Sequence, residues 1–180
     1  MCEVVDVVLD DQCDSNQGGT KLVLFYAPLA DFLLLKKPAA DAVGTAKHTI
    51  SETHTFKPQK AWKRIEIVKN TGAYSIAEGG ENSGTKNNSL VFREPSNSPS
   101  ATILFNQANG IRPFVFLTED ANMPDGTYDQ LGTAKQYATI KGTKVPGANE
   151  GEGGMYEFTV SNTATMRLLY TGAVTTTPAT

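Results

Sequence analysis

The chain has 180 residues, 39% hydrophobic and 19% charged, with a formal net charge of -3. That is long enough for one packed domain and too balanced in charge for a disordered chain. The acidic balance excludes a broad basic face that would hold nucleic acid through its phosphates.

Cys2 and Cys13 are the two cysteines. They are too few for a disulfide framework, and no C-x-x-C or Cys/His spacing suits zinc. The start carries Glu3 and Asp6 where a secretory signal would carry positive charge. The most apolar stretch, 22–35, is broken by Pro28 and Asp31 and is too short to cross about 30 Å of hydrocarbon. These features predict a soluble protein without a membrane anchor, made in a reducing cytoplasm.

The predicted elements are mostly strands. Residues 21–27 form a continuous β-prone run, opened by Gly18 and Gly19 and closed by Pro28. Residues 46–56 alternate, with Thr49, Ser51, Thr53 and Thr55 on one side and His48, Ile50, Glu52, His54 and Phe56 on the other. This predicts a pleated strand with two partly polar faces. In the strand predicted at 62–68, Ile65 and Ile67 point together, away from Arg64, Glu66 and Val68. The stretch 78–89, rich in Gly and Asn, can turn but cannot pack, and predicts a long hairpin tip between 73–76 and 90–93.

One helix is predicted over 98–109. Ser98 caps it, Pro99 suits its first position and Gly110 stops it; Ile103 and Leu104 form an inward stripe with Ala101 and Ala108 nearby. Strands follow at 113–119, 128–131 after the Asp125-Gly126 turn, 136–143, 155–160 and 167–170. The expected fold is mainly β: an antiparallel sandwich or barrel with one flanking helix. The expected organisation is an acidic arm at 1–17, one domain at 18–173 and a loose tail at 174–180.

Catalytic patterns are missing. On one strand His48 and His54 would share a face roughly 20 Å apart, too far for one metal. The acidic stretch at 10–16 fails the calcium-loop register, which would need a glutamate where Phe25 stands. The glycine pairs at 79–80 and the run at 151–154 lack the Gly-Lys-Ser/Thr of a phosphate cradle. The expectation is a protein that is not an enzyme, with no catalytic residue, metal or cofactor. Trp62 reads as a core or interface anchor.

The order of segments is familiar. A glycine pair leads into an apolar strand ending in Tyr-Ala-Pro-Leu-Ala-Asp at 26–31. A Thr-rich strand, a long Gly/Asn hairpin and a helix follow. A hydrophobic strand then leads to Asp-Gly-Thr-Tyr-Asp-Gln-Leu-Gly at 125–132, and Tyr170 and Gly172 come late. Over residues 17–173 this resembles the major tail (tail tube) proteins of long-tailed bacteriophages, especially those of Bacteroidetes-type hosts. The resemblance implies a small β-sandwich whose hexameric rings stack into a tube that conducts double-stranded DNA. It implies a place in the virion tail, contacts with copies of itself and with other tail proteins, and no cofactor. It assigns ring stacking to the hairpin through Glu78, Gly79, Gly80, Glu81, Asn82, Lys86, Asn87 and Asn88. The 46–56 strand, through Thr49, Ser51, Thr53 and Thr55, becomes the candidate lumen strand.

The exposed strand edges of an isolated sandwich point the same way. The 46–56 strand has neither proline nor dense charge to blunt its edge, and pairing edges around a closed ring removes unpaired backbone groups. The competing expectations are a carbohydrate- or receptor-binding β-sandwich with Trp62, Tyr74 or Tyr128 as its aromatic platform, a tail terminator, or a capsid decoration protein.

Overall fold

The computed structural model of the chain describes residues 20–80, 83–147 and 153–178. The N-terminal arm with Cys2, Cys13 and the acidic stretch lies outside the described residues, as do Glu81, Asn82 and most of the 147–154 turn.

The described residues include twelve strands, one α-helix and two 3-10 turns. The six-stranded sheet has the order β3 (Thr49–Ile50), β12 (Leu169–Tyr170), β9 (Tyr128–Leu131), β8 (Phe114–Asp120), β1 (Thr20–Pro28) and β5 (Lys63–Glu66). The four-stranded sheet has the order β10 (Thr139–Val145), β11 (Met155–Ala164), β7 (Lys86–Pro95) and β6 (Ala73–Glu78). A small third pair joins β2 (Phe32–Leu34) to β4 (Thr55–Phe56). Every pairing is antiparallel except β12 with β3. The fold is therefore mainly β and sandwich-like, with one helix, as the strand-rich sequence implies.

Two apolar layers hold it together. Between the large sheets lie Leu24, Phe114, Phe116 and Leu131 from one side and Leu90, Phe92, Phe158 and Val160 from the other. Behind the six-stranded sheet, Ala27, Val115, Leu117, Ile50 and Tyr170 pack with Trp62 and Phe32. Strand β8 feeds both layers, since alternate side chains point to opposite faces. Val174 packs against the rear layer, and the Trp62 N–H donates to Thr175 O at 3.2 Å.

Helix α1 (Pro99–Gln107) closes one flank. The Ala101 N–H donates to Ser98 Oγ at 3.3 Å, and Pro99 opens the first turn, so the sequence signals at this end hold. The inward stripe needs one correction. Ala101 and Leu104 are buried, whereas Ile103 is 60% exposed. Positions 101, 104, 105 and 108 follow the helical period, and 103 lies about 100° off the stripe. No helix among the described residues is long and apolar enough to cross a membrane.

The strand expected at 46–56 does not form. Residues Gly44–His48 make a 3-10 turn entered through Gly44 at φ +58°, only Thr49–Ile50 and Thr55–Phe56 are paired, and 51–54 is irregular. The hydroxyls that suggested a pleated face serve local bonds instead. Thr49 Oγ1 donates to Thr45 O at 3.1 Å, and Thr53 Oγ1 accepts from the Ala173 N–H at 3.1 Å. Threonine satisfies a turn backbone as readily as it fits a sheet. His48 and His54 consequently share no strand.

Candidate functional site

The rear layer covers the second face of the six-stranded sheet, but nothing covers the outer face of the four-stranded one among the described residues. Strand β11 reads inward through Tyr156, Phe158, Val160, Asn162 and Ala164, all buried. Period-2 alternation then turns Glu157, Thr159, Ser161 and Thr163 outward. Register carries the pattern across the sheet: Thr159 faces Val91, Ser161 faces Ser89 and Thr163 faces Asn87 on β7, while Ser75 and Ala77 of β6 face Ser89 and Asn87. On β10, Thr139, Lys141 and Thr143 stand opposite Ser161, Thr159 and Glu157.

The result is a face of hydroxyls, carboxamides and small side chains. Thr163 Oγ1 donates to Asn87 Oδ1 at 3.0 Å. Arg93 and Glu157 neutralise each other, with Arg93 Nε donating to Glu157 Oε2 at 2.9 Å. Lys141 is the one charge on this face without an ion pair among the described residues. Such a surface is wetted yet offers no row of cations to hold phosphates. A shallow hollow of about 310 Å³ opens on it among Asn87, Tyr137, Thr139, Ser161 and Thr163.

Among the described residues this sheet is open along β6 and along part of β10. Strand β6 pairs only with β7 among the described residues, and its segment from Ala73 to Ala77 carries neither charge nor proline. On the far side, Gly110 N–H donates to Ile140 O at 2.9 Å, so the chain after α1 covers the start of β10. From Gly142 to Val145 that edge has no second neighbour among the described residues.

The hairpin expected at 78–89 is real but shorter at its tip. Strands β6 and β7 run to Glu78 and from Lys86, pairing with each other in register. Gly79 N–H donates to Thr85 O at 2.8 Å and Ser83 N–H to Gly80 O at 3.0 Å. Lys86 Nζ donates to Glu78 Oε1 at 2.6 Å and holds that carboxyl below its ordinary pKa. Glu78, Gly79, Gly80 and Lys86 thus sit at or beside the tip. Asn87 and Asn88 belong to the strand, and Asn88 is buried, donating from Nδ2 to Asn162 Oδ1 at 2.9 Å. Asn88 is therefore no tip contact residue, because alternation in β7 turns it inward.

Of the candidate lumen residues, Thr49 lies at the edge of the six-stranded sheet, Thr55 in the small pair, and Ser51 and Thr53 in the irregular stretch between. The structure does not bring them onto one surface. The Ser/Thr face sought there stands on β6, β7, β10 and β11. The alternation at 155–164 was the signal that could have found it.

The aromatic candidates also resolve. Trp62 is 1% exposed, in contact with the rings of Phe32 and Phe56 at 5.3 and 5.4 Å, so it is a core anchor and no platform. Tyr74 and Tyr128 are half-buried, while Tyr137 is 45% exposed.

His54 clamps the small β2–β4 pair to the six-stranded sheet. The Lys36 N–H donates to its Nδ1 at 3.0 Å, its Nε2 lies 2.9 Å from Gln130 Oε1, and its ring stacks on Tyr170 at 4.5 Å. Gln130 Nε2 donates to Gly132 O at 3.0 Å, so the amide oxygen faces the histidine and Nε2 carries the proton. Burial pushes the imidazole below its ordinary pKa and the Lys36 charge adds to this, against the opposing bond to Gln130. The contribution to stability is complete above the unfolded value of about 6.5 and is lost as pH falls through the lower folded value. Urea midpoints of the wild type and His54→Gln are expected to converge between pH 7.5 and pH 5. A constant gap between them would show that the imidazole does not titrate with unfolding.

No protein-family model, curated protein or solved structure matches the chain.

Proposed function

We propose that the chain is a self-assembling structural subunit of a phage tail tube, whose four-stranded sheet lines the bore. One observation carries the reading: a bare Ser/Thr/Asn face lies on a sheet that, among the described residues, has a free outer edge along β6 and another along β10 from Gly142 to Val145. Because the sheet has four strands and every pairing within it is antiparallel, β6 and β10 run in opposite directions. Copies related by rotation about one axis can then set β6 beside β10 of the next, antiparallel, with the same face always inward. Closure abolishes both edges. The hairpin projects past the sheet, where it would reach the adjoining ring.

Electron microscopy of concentrated protein tests this, with rings or hollow rods as the expected result; a solution that stays monomeric at every concentration would overturn it. The double substitution Ser75→Lys with Ala77→Lys is expected to abolish rods while leaving the far-UV circular dichroism unchanged. It puts two cations on the bare edge, where they would adjoin the open 142–145 stretch of β10, which carries Lys144. Rods formed by this variant would remove the edge from the interface.

A second reading rests on Tyr137. Its exposed ring beside Asn87, Ser161 and Thr163 suits stacking and hydrogen bonding to a sugar. A monomer that binds a glycan array, and ceases to after Tyr137→Ala, would favour a carbohydrate-binding module.

A further inference from the structure

A second surface feature lies where the sandwich opens between β5, the end of β7 and the start of α1. A cleft of about 300 Å³ is lined by Tyr26, Ile65, Glu66, Glu94, Ala101 and Leu104, with Arg64, Ser98 and Ser100 around it. Glu94 continues the inward row of Leu90 and Phe92 along β7 and brings a carboxylate to the end of the apolar core. Its Oε1 is closed off from solvent and has no hydrogen-bond partner.

Asp31, Glu52, Glu66, Glu78, Glu119, Asp125, Asp129 and Glu157 each hold a lysine or arginine. Glu94 holds none among the described residues. Among the described residues Asp41 and Asp120 also lack a cationic partner, but Asp41 is exposed and Asp120 accepts from the Asn122 N–H at 2.9 Å, whereas Glu94 has an oxygen with neither solvent nor a donor. The one cation lining the cleft, Arg64, is committed to Glu66 at 2.8 Å. Buried carboxylates are normally paired or hydrogen-bonded, so an unpaired one facing an open cleft has room for a partner from outside. Burial, with the Glu66 charge beside it, raises this carboxyl to about 7, the behaviour of an acid whose counter-charge is missing.

We propose that this cleft receives a lysine or arginine side chain from a second copy of the chain. The Glu94 carboxylate takes the cationic head, and Ile65, Ala101 and Leu104 receive the methylene stem. Long basic side chains suit such a site because they lay apolar stems on apolar floors. That the donor is a second copy rests on the self-assembly reading. Lys144, exposed on the open end of β10 without an ion pair among the described residues, is a cation such a copy can offer.

The test separates the two claims. Dilute, isotope-labelled protein is titrated with N-acetyl-lysine amide while amide resonances are followed by NMR. Saturable shifts confined to Glu94, Ser98 and Ala101 are expected, weakened about tenfold or more in Glu94→Gln. The concentration at which that variant assembles, read by sedimentation velocity, is expected to rise about tenfold, with its thermal melt no lower than wild type. Absent shifts, shifts equal in Glu94→Gln, or an unchanged assembly threshold would overturn the cleft even if rods form. Shifts that depend on Glu94 in a protein that never leaves the monomer would overturn the second copy as donor, and the self-assembly reading with it.

Discussion

Arg167→Ala is expected to destabilise the fold by about 3 kcal/mol, because it strands a carboxylate already removed from water. The Asp129 side chain is 0% exposed, and Arg167 grips it with two bonds, Nε to Oδ1 at 2.5 Å and Nη2 to Oδ2 at 2.8 Å. Bidentate pairs of this kind are the strong ones. The arginine remains 42% exposed, so the pair itself adds less than its breakage costs. The double variant Asp129→Asn with Arg167→Met should therefore lose only about 1 kcal/mol, since no uncompensated charge remains. Urea unfolding followed through the fluorescence of the single tryptophan measures both. A single variant no worse than the double would show that Asp129 finds water or another partner.

Trp62→Ala is expected to cost about 3–5 kcal/mol, the range for emptying a core aromatic site. The indole fills the space between the small β2–β4 pair and the six-stranded sheet, with Phe32, Phe56, His54 and Tyr170 all within 6.5 Å by ring centroid. At this chain length the melting temperature should fall by about 10 °C or more, read by circular dichroism because the variant has lost its fluorophore. Tyr137→Ala, removing an exposed ring, should change stability by less than about 0.5 kcal/mol. If the two variants melt alike, the rear layer adds little to the fold.

What the sequence disclosed follows from how local each signal is. The helix announced itself through Ser98 and Pro99, whose cap chemistry needs only its own first turn. The Asp125-Gly126 turn was equally plain, because it demands a positive φ at glycine, observed at +80°. Residues 46–56 misled because serine and threonine alternation is degenerate: the same residues cap turns when no neighbouring strand arrives to pair with them. The bare face was harder to see. It is assembled from alternate positions on four strands, and neither their register nor their order is written in any one of them. Glu94 was invisible for the same reason. Its lack of a partner depends on where β5 and α1 come to rest, seen only once the sheets are packed.

Strand β8 sits between both apolar layers, and Phe114, Val115, Phe116, Leu117 and Thr118 are all wholly buried. Until its neighbours dock, that stretch is the kind of segment that drives cross-β aggregation of nascent chains. Its flanks are equipped accordingly: Pro113 stands before it, where no ladder donor is available, and Glu119 and Asp120 follow with two negative charges. Proline and charge at the ends of an apolar strand are gatekeepers against such stacking, and these three residues stand where that effect would be exerted before the six-stranded sheet closes around β8.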